Sequence, residues 1–307
     1  MDDGAPSWRE VLRWKLGRGP QDADEGAPDT PAEVVSWVRR PLPDTGWRVS
    51  WLGHASFLLE GQGRRLLIDP VFSDFCAPLP LPSMKRLSPP PCSVEALGEV
   101  DAVLLTHTHY DHLDLPTLRH FRGSMMVVPT GYAGWMQRRG FESVRELGWW
   151  DEMELFDGVS VKASPARHFS ARTPFDRNPS GCCGYRIEGG GVALWHAGDS
   201  GDAPIFDEVG ERWGPVDFGM IPIGAYSPRW FMSRVHLDPR QATRVFRVTR
   251  CRRAVGMHWG TFRLTDEPMG EPPLLLEREG IEGFFTGKVG ESWWVGPLES
   301  MQSDAES

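Results

Sequence analysis

The apolar residues of this chain fall into short runs rather than long helical stripes. "WRVSWLGHASFLLE" (47–60) and "RRLLIDP" (64–70) read as β-type segments, and Gly61-Gln62-Gly63 between them predicts a hairpin. "AVLLT" (102–106) is a continuous apolar run, the pattern of a strand buried on both faces. Further strands are expected at "MMVVP" (125–129), "VSVKASPA" (159–166), "CGYRIE" (183–188), "VALWHAGD" (192–199), "DFGMIPI" (217–223) and "RAVGMH" (253–258). Helical segments are expected over 116–121, 132–139, 203–213, 238–248 and 272–279. Strands dominate early, then strands and helices interleave, with polar motifs at strand ends. That order predicts an α+β fold of two packed sheets with helices outside. A doubly wound parallel sheet is the rival, but no G-x-G-x-x-G or Walker motif follows a strand.

Three segments are expected: an appendage (1–46), a main domain (47–295) and a polar tail (296–307). In the appendage, Ser7 can cap a short helix over 8–16, in which Trp8, Val11, Leu12 and Lys15 share a face. A Gly- and Pro-rich acidic stretch to residue 31 then reads as a loose linker. Packing on the main domain is the simpler role for that helix. A membrane-surface role is the sharper one, because Trp, Leu, Arg and Lys are the residues such helices use.

Charge and cysteines narrow the classes. A net charge of −9 argues against broad nucleic-acid binding, which needs a basic surface. No run of 18 apolar residues exists to span a membrane, and the acidic start lacks a signal-peptide core. Five cysteines, with no Cys-x-x-Cys among them, suggest free thiols in a reducing cytoplasm and disfavour a thiolate zinc site. Fourteen tryptophans against four tyrosines are unusual, and their rings can fill a core or line an apolar pocket.

The chemistry concentrates at "THTHYDHLD" (106–114), where three of the nine histidines follow a buried strand. In an extended segment, residues two apart project to the same side, so His107 and His109 can converge on one ion. Asp111 and His112 lie just beyond, where the chain can turn them toward a second. Imidazole and carboxylate without thiolate suit zinc, and also manganese, iron or nickel. His168, Asp199 and His258 each end another apolar run in the same way. Together these are seven ligands, enough for two ions if Asp199 bridges them. His120 lacks that setting and reads as surface; His196 reads as a packed or hydrogen-bonded neighbour.

The hexapeptide His107-Thr108-His109-Tyr110-Asp111-His112 resembles the H-x-H-x-D-H signature of the metallo-β-lactamase superfamily. The resemblance runs from about residue 47 to 290, and it implies an αββα sandwich of two mixed β-sheets with helices outside and a dinuclear edge site. "WLGHASFLLE", "HYDHLD", "HFSARTPFDRN", "GAYSPRWFMSRVHLDP" and "MHWGTF" are similar to the N-acyl phosphatidylethanolamine phospholipase D branch and its bacterial relatives. That likeness implies hydrolysis of a glycerophospholipid phosphodiester by a metal-bridging hydroxide, releasing phosphatidic acid and an N-acylethanolamine. It implies two zinc ions: His107, His109 and His168 on the first, Asp111, His112 and His258 on the second, Asp199 bridging. His236 in "VHLDP" falls where the family has a histidine near the phosphate; its simpler role is as a neighbour of the helix N-cap at Asp238.

Catalytic roles are therefore expected for Asp111, Asp199 and His236. Substrate contacts are expected from His54, Tyr226, Arg172, Arg229 and Trp230, with Tyr226, Trp230, Phe231 and Met232 lining a loop groove. Asp69 and Asp114 are expected to orient ligand histidines through the far ring nitrogen. The expected partners are a phospholipid or small phosphodiester and no nucleic acid; a peripheral contact with the inner face of the membrane and a homodimer stay open. The rival enzymatic reading is a lactonase or carboxyl-ester hydrolase on a small soluble anion such as a phosphorylated sugar lactone. A non-enzymatic metal- or partner-binding protein is the third reading, and a complete ligand set counts against it.

Overall fold

The computed structural model describes residues 4, 6–20, 26–173 and 181–297. The last part of the segment "HFSARTPFDRN" (174–178), most of the expected polar tail (298–307) and part of the expected linker (21–25) lie outside the described residues. Strands arise in chain order as β1 (Trp47–Gly53), β2 (Ser56–Gly61), β3 (Arg64–Ile68), β4 (Ala102–Leu104), β5 (Met125–Pro129) and β6 (Val144–Leu147). Next come β7 (Glu152–Phe156), β8 (Val159–Pro165), β9 (Cys183–Gly189), β10 (Val192–His196), β11 (Val216–Pro222), β12 (Cys251–Met257), β13 (Phe284–Phe285) and β14 (Ser292–Val295). The helices are α1 (Trp8–Lys15), α2 (Leu115–Leu118), α3 (Ala133–Gln137), α4 (Ile205–Trp213), α5 (Arg229–Met232), α6 (Pro239–Val248) and α7 (Glu271–Glu279).

Two seven-stranded mixed sheets result, ordered β14-β1-β2-β3-β4-β5-β6 and β13-β12-β11-β10-β9-β8-β7. In the first, β14, β1, β2 and β3 pair antiparallel, and β3 to β6 pair parallel. The second repeats the arrangement, with β7 to β10 antiparallel and β10 to β13 parallel. The expected hairpin joins β2 to β3, where Gln62 and Gly63 both take positive φ, the requirement of a tight two-residue turn.

Alternation along the strands sets the layers. Val49, Trp51, Phe57 and Leu59 face Tyr185, Ile187, Leu194 and Met220 of the opposite sheet. Leu52, Leu58 and Val103 turn outward and are covered by Leu118 of α2 and Met136 of α3. On the other side Trp195, Ile221 and Ile223 pack with Phe206 of α4, Val245 of α6 and Leu276 of α7. The expected αββα sandwich is thus present, and Trp47, Trp51 and Trp195 fill its layers completely buried.

Several expectations need correction. Segment 229–232, read as loop, is the short α5, and β6, β7, β13 and β14 had no sequence counterpart. Within the expected appendage, the part after the expected linker packs on the main domain: Trp37 is buried among Leu52 and Leu97, and Val34 bridges to Val289. The helix at 8–15 forms with the expected Ser7 cap in a reciprocal capping box with Glu10. Of the expected face of Trp8, Val11, Leu12 and Lys15, only Val11 is partly buried, and the helix meets the main domain through other residues. Trp14 packs at a tilt with its ring 5.6 Å from that of Phe231 and donates to Asp266 at 2.6 Å, while Glu10 pairs with Arg234 at 2.7 Å.

Candidate metal centre

The parallel strands β4, β10, β11 and β12 end together at one edge of the sandwich. The turn after β4 begins at Leu105 and releases His107, His109, Asp111 and His112 in quick succession. His168 follows β8, Asp199 follows β10 and His258 follows β12, so all seven expected ligands meet at that edge. The expectation rested on strand-end placement, and the layer geometry is why it brings them together.

His107, His109 and His168 form one group, with His107 Nε2 and His168 Nε2 respectively 2.9 and 3.2 Å from His109 Nδ1. Asp111, His112 and His258 form a second, joined by His54. In it, Asp111 Oδ2 stands 3.6 Å from His112 Nε2 and 3.4 Å from His258 Nε2. Asp199 lies between the groups: its Oδ2 is 2.9 Å from His258 Nε2, 3.2 Å from His112 Nε2 and 3.9 Å from His168 Nε2.

These residues suit a cation. His112 Nε2, both ring nitrogens of His258 and Asp199 Oδ1 are buried with no hydrogen-bond partner among the described residues. Orphaned lone pairs converging in a buried space are costly unless an ion takes them up. Burial and the neighbouring His112 hold His107 well below its usual range, and burial with His168 holds His109 down to about 3, so both rings are neutral and able to bind a metal. Burial works against charge on Asp199 and Asp111, but the adjoining imidazoles outweigh it and keep both carboxyls well below the usual carboxylate range. The same pairing acts in reverse on His258, where burial is outweighed by Asp199 and Asp111 and its proton is held up to about 9.

Outer contacts fix the ring orientations. His112 Nδ1 lies 2.7 Å from Asp69 Oδ2, and Asp69 in turn accepts from the Thr106 hydroxyl and amide at 2.5 and 2.8 Å. His168 Nδ1 donates to Val235 O at 2.9 Å. Asp69 therefore plays the expected part. Asp114 does not: it accepts from the Phe72 and Ser73 amides and from the Ser73 and Thr117 hydroxyls, anchoring a neighbouring loop. His196 is wholly buried between Ala55 O and the Gly198 amide, and His120 is exposed beside Glu95, both as expected.

The residues expected to touch substrate are placed differently. Tyr226 is 1% exposed and its hydroxyl donates to Glu271 at 2.5 Å, so it and buried Phe231 belong to the core, not to a groove. Trp230 is half-buried beneath Arg13, whose guanidinium lies 5.2 Å over its ring. Arg229 pairs with Asp238. Arg172 donates to Thr108 O and Leu113 O at 2.9 and 2.8 Å, bracing the loop that carries the histidines. His54 is buried and bonded to Asp111 at 2.8 Å. His236 does reach the centre, its Nδ1 3.9 Å from Asp199 Oδ2. Sequence reading missed the bracing roles of Thr106 and Arg172, because neither an isolated Thr nor an isolated Arg carries a spacing signal.

The profile of a beta-lactamase superfamily domain matches residues 64–259. The chain belongs to the beta-lactamase superfamily. It is 33% identical over 271 residues to N-acyl-phosphatidylethanolamine-hydrolyzing phospholipase D 1 of Caenorhabditis elegans, covering 81% of this chain and 76% of that one. Similarity to a UPF0173 metal-dependent hydrolase of Thermococcus kodakarensis is 31% over 235 residues, 75% of this chain and 91% of the relative. Longer mycobacterial and yeast relatives are spanned over only 61% and 52% of their length. A metallo hydrolase structure from Ignicoccus hospitalis shares the fold at a TM-score of 0.62 and 23% identity, over 81% of this chain and 98% of that one. Family, fold and ligand cluster together make the chain a metal-dependent hydrolase of the metallo-β-lactamase fold.

Proposed function

We propose that this chain is a two-zinc phosphodiesterase of phospholipase D type, acting on N-acyl phosphatidylethanolamine or a related glycerophospholipid. The observation that carries the reading is the position of Asp199, within 4 Å of ligand nitrogens from both histidine groups. Likeness to the worm enzyme supports the substrate class. His107, His109 and His168 would hold one ion and Asp111, His112 and His258 the other, with Asp199 shared. Bound divalent ions supply a water-derived nucleophile at neutral pH and neutralise charge on phosphoryl oxygens.

The chain's own groups do the rest. Asp199 Oδ1 is an acceptor without a partner among the described residues, able to orient the attacking water and take its proton. The new bond joins the water oxygen to phosphorus, and the bond to the ethanolamine oxygen breaks. His236 Nδ1, also without a partner among the described residues, stands 3.9 Å from Asp199 Oδ2; burial holds its ring neutral, so it can contact the leaving oxygen, which takes up the proton that Asp199 removed from the water. Among the described residues no helix is long and apolar enough to cross a membrane. A cytoplasmic protein peripheral to the inner membrane face fits this reading.

The test is to assay the purified chain for metal by elemental analysis and to incubate it with N-acyl phosphatidylethanolamine in mixed micelles. Mass spectrometry should find phosphatidic acid and the N-acylethanolamine, lost on chelation and regained with zinc. Two bound metals without lipid cleavage, but with opening of soluble lactones, would overturn the substrate assignment.

A further inference from the structure

Helix α1 has two unlike faces. Its inner face is clamped: Trp14 holds Phe231 and Asp266, Glu10 holds Arg234, and Gly19 lies so close to Trp230 that a Cβ there would come within 2.7 Å of the indole. Its outer face carries Trp8, Leu12 and Leu16, spaced by four residues along one row and exposed by 70, 49 and 55%. Basic side chains flank the row. Arg9 lies over the Trp8 ring at 5.4 Å on one side and Lys15 over the Trp14 ring at 3.9 Å on the other, with Arg13 and Arg18 beyond.

A large apolar row between cations, on a chain whose net charge is −9, is a local inversion of the surface. Such a face buries its apolar side chains at the acyl boundary while its cations meet anionic headgroups. The loop after β3 exposes further apolar side chains. Leu79 and Leu81 are 66 and 47% exposed, and their loop packs through Cys76 and Met84 against Phe262. Phe262 and Asp266, the respective anchors of that loop and of α1, both belong to the run that follows His258.

We propose that the outer face of α1 docks the protein on an anionic lipid bilayer. The occupant is a lipid surface rather than a second copy of the chain, because the row is bordered by cations on both sides. The inner face would then tie the docked helix to the segment 230–236, which carries His236. The proposal extends the phospholipid reading, but its test is independent of turnover.

Full-length protein is sedimented with vesicles of phosphatidylglycerol and phosphatidylcholine, and with phosphatidylcholine alone. The wild type should pellet with the anionic vesicles and be released by salt. The variant Trp8→Ala/Leu12→Ala/Leu16→Ala should bind at least about tenfold more weakly. Arg9→Glu/Lys15→Glu should lose the preference for phosphatidylglycerol. Metal content and thermal midpoint, both unchanged, control for folding. Wild-type protein that stays in the supernatant, or variants that pellet as well as wild type, would overturn the proposal. So would a triple variant whose only change, by light scattering, is from dimer to monomer. Vesicle binding without lipid hydrolysis would instead count against the phospholipase reading and leave the docking face standing.

Discussion

His54 Nε2 lies 2.8 Å from Asp111 Oδ2, and the backbone of the same histidine accepts the amide of His258 at 3.1 Å. One residue in the turn between β1 and β2 therefore touches two of the seven expected ligands. The turn is a constrained one: His54 has φ +52, and its amide is held by the Thr261 hydroxyl at 2.9 Å. Burial and the neighbouring His258 hold its ring down to about 3, so the neutral imidazole has one N–H, and geometry directs it at Asp111. His54→Ala should weaken metal binding about 10- to 100-fold, with partial recovery in His54→Asn. Competition with a chromophoric chelator measures this. A raised KM with unaltered metal affinity would return His54 to a substrate-binding role.

Arg172 makes a similar argument on the opposite side of the loop. Its guanidinium closes the carbonyls of Thr108 and Leu113 and stacks 3.9 Å over the Tyr110 ring. Arg172→Met strands two carbonyls beside the metal-bearing loop and should destabilise the protein by on the order of 2–3 kcal/mol. Lysine should restore only part of this, because a point charge cannot reproduce the planar fork. Urea unfolding of the variants decides it. Unchanged stability with a higher KM in Arg172→Lys would mean that the guanidinium serves the phosphate instead.

The metal-free protein should be sensitive to pH in a defined direction. His258 is held up to about 9 from 6.5 despite burial, because Asp199 and Asp111 face it. Its contribution to stability is thus complete below 6.5 and lost as pH rises through about 9. Asp199 and Asp111 have lowered values, so theirs is present above 3.8 and lost as pH falls further. Metal must displace the His258 proton, so loading near neutral pH should release protons, and apparent affinity should climb toward pH 9. Titration calorimetry in two buffers of different ionisation enthalpy would detect the release, and identical heats would refute it.

The cluster of expected ligands was legible because its hexapeptide and His168, Asp199 and His258 each follow an apolar run, and strand ends of a layered sandwich fall along one edge. The hidden parts have physical reasons. Strand β7 buries only Leu155 fully, with Met153 and Phe156 half-buried, so the five-residue alternation of "EMELF" is too short to stand out, and β13 spans only two residues. Tyr226 and Phe231 looked like groove residues because Pro228 and Arg229 suggest a loop, yet Glu271 arrives from α7 to satisfy the buried hydroxyl. No local pattern announces a partner 45 residues away. The inward direction of α1 was hidden for a related reason. Trp8 and Leu12 carry the stronger apolar signal, but the inward direction was decided by Asp266 and Arg234, far along the chain.

Asp199 offers the most direct test of whether the two histidine groups act as one centre. Asparagine keeps the shape of the side chain and removes its charge, so Asp199→Asn should fold, as circular dichroism would show. Turnover should fall by at least about 100-fold, the scale of losing one preorganised electrostatic group. His109→Ala should act on one group only, lowering bound metal from two ions toward one, whereas Asp199→Asn should weaken both. The charge has a second effect that needs no substrate. Without it, the largest influence keeping a proton on His258 against burial disappears, and the alkaline stability transition of the metal-free protein should move to lower pH. A variant that loses turnover but keeps two metals and the same alkaline transition would separate Asp199 from the metal centre, leaving it a role toward the attacking water alone.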